Sequence, residues 1–309
     1  MGSLRHGAVG LFGKIPAQGD FFRAEVSAPT AQALVSWLQE AMEPVYRLGL
    51  KLSPAPVRFL FRSPPSGDAL VGVLAPGSDK VGRSFPLCVF VPVAGPGLEA
   101  GFAGLPVAYR QFLDDAAALV TGVAGLDGPA LVARARALPL PSEDSLEVAL
   151  AGLRQEARGS PAQELSQRLF GDLPAGAIAY ALATLGSAAR PVRAREPARA
   201  TVALDCPAER DLDRFAWLEL ARVTLGWRAP PPFFWTDGPP GRIVVSLGGP
   251  PAALLGHLSD PRGAGSKIWP LRTAQQAAIE TARRGMASAA LQAIEAPGGT
   301  VAALIAAAC

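Results

Sequence analysis

Pro86-Leu87-Cys88-Val89-Phe90-Val91-Pro92-Val93 is the stretch whose reading decides the fold. It is dense in Val and Phe and holds no charged residue, so it reads as a strand buried on both faces. Two earlier runs, residues 57–62 and 69–74, have the same character, and the three are expected to share one sheet. Pro64, Pro65, Ser66 and Gly67 join the first two as a hairpin loop, and the polar segment 76–84 joins the second to the third.

Upstream, residues 8–15 form a short apolar run stopped by Pro16 and Gly19, a strand leading into a turn that ends at Asp20. Thr30 is placed to cap a helix running to Arg47, in which Leu34, Leu38, Met42 and Val45 recur at helical spacing beside Trp37. Downstream the pattern turns helical over 107–123, 129–137 and from Asp144, with Pro139 and Pro141 as breaks, and continues over 162–170 and 175–185. Arg190, Arg193, Arg195 and Arg199 then stand in a solvated loop. A strand at 201–204, a helix at 211–225 and a strand pair at 233–236 and 242–247 follow, the pair joined by turn residues 237–241. Helices at 251–258 and 273–294 complete the chain. Strands and helices mix in both halves around a helical middle, which points to an α/β or α+β layered fold rather than a bundle or sandwich of sheets.

Composition narrows the function. Half of the 309 residues are hydrophobic and 18% are charged, which suits a globular chain able to bury a core without staples. The excess of 29 basic over 26 acidic residues is small, and the arginine strip contains Glu196 and no aromatic residue for base stacking, so nucleic acid is not expected as a partner. Cys88, Cys206 and Cys309 stand far apart with only His6 and His257 as companions, which argues against a metal site and for a reducing compartment. The N-terminus lacks the apolar core of a secretory signal, and the apolar run 300–309 is well short of the ~20 residues of a membrane span. The expected location is cytoplasmic, without membrane insertion.

Candidate chemistry is sparse. Gly10-Leu11-Phe12-Gly13-Lys14 has the glycines and lysine of a phosphate loop, but not its spacing, and Ile15-Pro16 stand where Ser or Thr is needed. The connector 263–267 fails in the same way. No serine sits in a nucleophile elbow, and two histidines leave few members for a triad: His6 lies in the frayed start, and His257 sits late in a short apolar helix. No cofactor is expected. Asp20 beside Lys14 and Asp79 beside Arg83 make the best acid/base pair, and a small hydrolase or phosphatase built on them is the alternative function. Aspartates beside Gly, Ser and Pro more commonly hold turns, so structure or partner binding is favoured over catalysis.

Three blocks carry a family resemblance. Residues 10–23, Gly-Leu-Phe-Gly-Lys-Ile-Pro-Ala-Gln-Gly-Asp-Phe-Phe-Arg, resemble the opening of the TagF/ImpM type VI secretion accessory proteins, "GxxGKLPxxGDFxR". Residues 72–87 are similar to that family's "GVLxPSVDxVGRxFPL", and 232–238, with Trp235, to its "PSLWWTxG" element. Gly77-Ser78 and Phe233-Phe234 depart from the pattern, and the helix has Val35-Ser36-Trp37 where relatives show two tryptophans. The resemblance implies an α/β sandwich, and with the residue pattern this gives a layered αβα sandwich with a mixed sheet and a helical middle, followed by a C-terminal helical extension beyond the usual family core. The sandwich would span 1–258, as one domain or as subdomains 1–140 and 141–258, and the extension 259–309.

The resemblance further implies an accessory protein acting through protein–protein interaction in post-translational regulation. It would restrain the secretion apparatus by binding a forkhead-associated scaffold or another component. Partner-binding or motif candidates are Lys14, Gly19, Asp20, Phe21, Arg23, Ser78, Asp79, Gly82, Arg83, Phe85, Pro86 and Trp235. They are expected to converge where the 14–21 turn meets the 76–86 loop, either presenting charges around Phe21, Phe22 and Phe85 as a docking patch or, equally, with Gly19, Gly82 and Pro86 shaping turns while the phenylalanines fill the core.

Overall fold

The computed structural model describes residues 4–63, 68–197, 202–238, 240–261 and 267–308. The hairpin loop 64–67, Arg199, Thr201, Pro239, the connector 263–266 and Cys309 lie outside them. The first third holds β1 (Arg5–His6), β2 (Gly10–Gly13), β3 (Phe22–Ala24), α1 (Pro29–Arg47), β4 (Val57–Phe61), β5 (Ala69–Ala75) and β6 (Leu87–Ala94). A helical run follows: α2 (Pro96–Gly101), a 3-10 turn, α3 (Leu105–Ala108), α4 (Arg110–Thr121), α5 (Gly128–Arg136), α6 (Ser145–Gly159), α7 (Ala162–Phe170) and α8 (Ala177–Ala189). The remainder is β7 (Ala203–Pro207), α9 (Asp211–Leu225), β8 (Phe233–Thr236), β9 (Arg242–Ser246), α10 (Leu254–Ser259), β10 (Ile268–Pro270), α11 (Gln276–Arg284), α12 (Ser288–Glu295) and α13 (Val301–Ala307).

All ten strands join one sheet in the order β10-β7-β9-β8-β4-β5-β6-β2-β3, with β1 also pairing β6. The sheet is mixed, because β10 runs parallel to β7 while the other pairs are antiparallel. The three apolar runs lie side by side as β4, β5 and β6, with Gly72 facing both Phe59 and Phe90 across the ladders.

The sheet is covered on both faces, which is why its central strands lack the polar alternation of a half-exposed sheet. Val71, Val73, Val89 and Val91 point into a large core with the helices of the middle and the C-terminal part. Leu70, Leu74, Cys88 and Phe90 point the other way, towards α1 and α10. Each fully buried Leu, Val or Phe in these layers contributes about 1.5–3 kcal/mol. The αβα layering expected from the resemblance is therefore present.

Helix α1 forms because Leu34, Leu38, Ala41, Met42 and Val45 fall on one buried stripe. Thr30 does not cap it. Pro29 occupies the first turn after Ala28, whose extended backbone starts the helix with no side-chain cap, and Thr30 is buried inside.

Several other expectations are corrected. The apolar stretch 107–123 is two helices, α3 and α4, because Tyr109 leaves helical geometry between them. The stretch 273–294 breaks at Gly285 to Ala287, where Ala287 turns extended, into α11 and α12. His6 is not frayed: β1 pairs with β6, and the His6 Nε2 lies 2.7 Å from the Tyr109 hydroxyl. The 190–196 segment is not a simple loop. Arg190–Val192 forms a 3-10 turn, and Glu196 is tied to the buried guanidinium of Arg62. The C-terminal part is more than helical, since β10 completes the sheet edge.

Candidate functional site

The first two motif blocks meet at one place. Strand β2 ends at Gly13, whose φ is +145°, and a Cβ there would stand 2.1 Å from the Pro86 carbonyl oxygen. A side chain would both strain this backbone and drive β2 away from the start of β6. Gly77 repeats the logic, since its Cβ would meet the Lys14 carbonyl oxygen at 2.6 Å and that of Phe85 at 2.8 Å. Backbone therefore packs on backbone, which accounts for two of the motif glycines.

Asp79 is the hub of the junction. Its side chain has no exposed surface and accepts from Lys14 Nζ at 2.9 Å and Arg83 Nε at 2.7 Å through Oδ2. Its Oδ1 accepts from the amides of Arg83 at 2.9 Å and Val81 at 3.1 Å. Burial pushes the Asp79 carboxyl up, but the Lys14 ammonium, then the Arg83 and Val81 donors, outweigh it and hold the group well below the usual carboxylate range.

The same loop clamps the first block from outside. The Lys80 amide donates to the Gln18 carbonyl at 2.8 Å, and the Arg83 guanidinium donates to the Gly19 carbonyl. Ser78 and Ser84 form an isolated antiparallel bridge, while Gly77 and Phe85 exchange both backbone bonds at 3.1 and 3.0 Å. Gly82 takes φ +86° at the tip. The Tyr46 hydroxyl, on the last turn of α1, donates to the Ser84 carbonyl.

Beneath the charges lies an aromatic cluster. Phe21 stacks on Phe12 at 5.4 Å between centroids and meets Phe85 edge-on at 4.8 Å. Lys14 Nζ lies 5.4 Å from the Phe21 centroid, and the Arg23 guanidinium 5.4 Å from that of Phe12.

The candidates thus separate. Lys14, Asp79, Phe85 and Pro86 are buried, Phe22 is buried and Phe21 and Ser78 are half-buried, whereas Gly19, Asp20, Arg23, Gly82 and Arg83 are exposed. Of the two arrangements open for the phenylalanines, surface patch or core, Phe22 and Phe85 take the core and Phe21 is half-buried under the loop. Trp235 belongs elsewhere: it is buried on β8, against Phe233. Lys14 pairs with Asp79 rather than with its neighbour Asp20, whose Oδ1 accepts the adjacent Phe21 amide at 2.7 Å. Asp79 has its lone pairs committed to four donors and its proton held off, so it is unsuited to exchange protons with a substrate near neutral pH.

Sequence reasoning missed Tyr46, Lys80 and Val81. Lys80 is exposed, and Val81 on the loop and Tyr46 on α1 are 70% and 54% exposed, apolar side chains that, like Leu48 at the end of α1, the core does not use. Among the described residues no group of three His, Cys, Asp or Glu could hold a metal ion, and no helix is long and apolar enough to cross a membrane.

The fold and junction together define an αβα protein whose charged residues are spent on fixing a surface loop. Its N-terminal part has a specific kin: residues 10–137 match the model of the TagF N-terminal domain, type VI secretion system-associated. Over that stretch the chain resembles a TagF N-terminal domain; the match covers less than half of its 309 residues. No curated protein matches it. Among solved structures, PA0076 from Pseudomonas aeruginosa PAO1 is similar at 17% identity, over 85% of this chain and 99% of that one, with a TM-score of 0.49.

Proposed function

We propose that this protein is a cytoplasmic, non-enzymatic regulator of type VI secretion that acts after translation, by docking a component of the apparatus through the 78–84 loop and the end of α1. A forkhead-associated scaffold is the partner, and restraint of assembly or firing is the outcome. The observation that carries the reading is the Asp79 hub. It fixes the loop so that Lys80, Val81 and Arg83 are held at the surface beside Tyr46 before any partner arrives, and pre-organisation of this kind lowers the entropic cost of binding. The exposed set is cationic with an apolar centre, so the matching surface is an acidic patch bearing an apolar pocket.

The test is a pull-down from the cytosol of a type VI-secreting host with the wild-type protein beside a Lys80→Glu/Val81→Asp variant, read by mass spectrometry. The variant leaves Asp79 and its four donors in place. Recovery of a forkhead-associated scaffold by wild type alone supports the reading. Equal recovery by both proteins moves the interface elsewhere, and the absence of any secretion component with wild type removes the docking function.

A further inference from the structure

Helices α8, α11, α12 and α13 line a cleft of about 510 Å³ that shares no residue with the 78–84 junction and lies within the ~300–1,000 Å³ range of small-molecule sites. Leu182, Leu185, Met286 and Leu304 supply its apolar walls. Arg190 and Arg193, on the 3-10 turn and just after it, supply its charge, and none of the described lining residues is acidic. Both arginines are exposed and neither meets a carboxylate among the described residues. Glu196, three residues beyond Arg193, is taken by Arg62. That acid is thus engaged elsewhere, and among the described residues no ion pair neutralises the two guanidinium groups.

We propose that this cleft binds an anionic single-chain amphiphile, a fatty carboxylate whose chain lies among Leu182, Leu185, Met286 and Leu304 and whose head is held by Arg190 and Arg193. An apolar floor rewards a hydrocarbon chain in proportion to its length. Planar guanidinium forks match a carboxylate or a phosphate head, and reject a neutral one. The arginines that a sequence reading leaves in a solvated strip are set by the fold at a cleft whose walls include these apolar side chains.

The full-length protein is titrated calorimetrically with dodecanoate below its micelle concentration, in parallel with acetate, dodecanol and dodecyl phosphate. The expected result is saturable binding of dodecanoate at one site per chain, none of acetate, and dodecanol weaker by about tenfold or more. Arg190→Glu/Arg193→Glu, two surface changes whose folding is checked by circular dichroism, is expected to weaken dodecanoate by about tenfold or more. Absence of saturable dodecanoate binding, or equal binding by the folded variant, overturns the site. Tighter binding of dodecyl phosphate than of dodecanoate overturns the carboxylate assignment.

Discussion

Lys14 and Asp79, 65 positions apart in the chain, meet at 2.9 Å with both side chains out of water. The pair welds the first motif block to the second. Removing one partner of a buried pair strands the other, whereas replacing both with apolar groups of similar size does not. Asp79→Asn is therefore expected to lower the melting temperature more than Arg83→Gln, whose side chain is 61% exposed. A Lys14→Met/Asp79→Leu double variant should melt above the sum expected from its two single changes. A double-mutant cycle by thermal melting measures this coupling.

The same carboxylate makes a pH prediction. Its folded pKa is depressed below the unfolded value of about 3.9, so its contribution to stability is present above that range and is lost as pH falls through the folded pKa. The melting-temperature gap between wild type and Asp79→Asn should be constant above about pH 5 and shrink progressively in more acid buffer. A gap that grows on acidification contradicts the assignment.

Two glycines of the first block should behave in opposite ways. Gly13→Ala places a methyl 2.1 Å from the Pro86 carbonyl at φ +145°, and is expected to cost more than about 2 kcal/mol or abolish soluble expression. Nothing lies within 4 Å of a Cβ at Gly19, so Gly19→Ala should stay within about 0.5 kcal/mol of wild type. Urea unfolding of both variants compares them directly.

Phe12 supports the loop from below, fully buried against Phe21 and Phe85. Phe12→Ala should cost about 3–5 kcal/mol in chemical denaturation. It should also raise amide exchange in the 78–84 loop, where Val81 and Arg83 donate to Asp79.

Much of the architecture was legible, for identifiable reasons. α7, α9 and β8 lie where periodicity placed them, because each has a stripe or run that burial requires and a clear stop at either end. The 273–294 stretch did not reveal its break, since alanine-rich sequence is helical in propensity on every side and only Gly285 interrupts it. β10 is three residues long, ends in proline and pairs with a strand more than sixty residues earlier, so nothing local marks it. At the site, the motif singled out Lys14, Asp79 and Arg83, but which cation reaches which carboxylate depends on how β2 and the loop cross. The exposure of Tyr46 and Val81 is likewise a property of the assembled surface, not of their sequence neighbours.

The most direct test of the docking account is the affinity of purified forkhead-associated scaffold for wild type and Lys80→Glu/Val81→Asp, measured at low and high salt. The account predicts that wild-type binding weakens with salt, while the variant, folded and melting as wild type does, binds at least about tenfold more weakly. Equal affinities for the two proteins, or a wild-type affinity indifferent to salt, would contradict it.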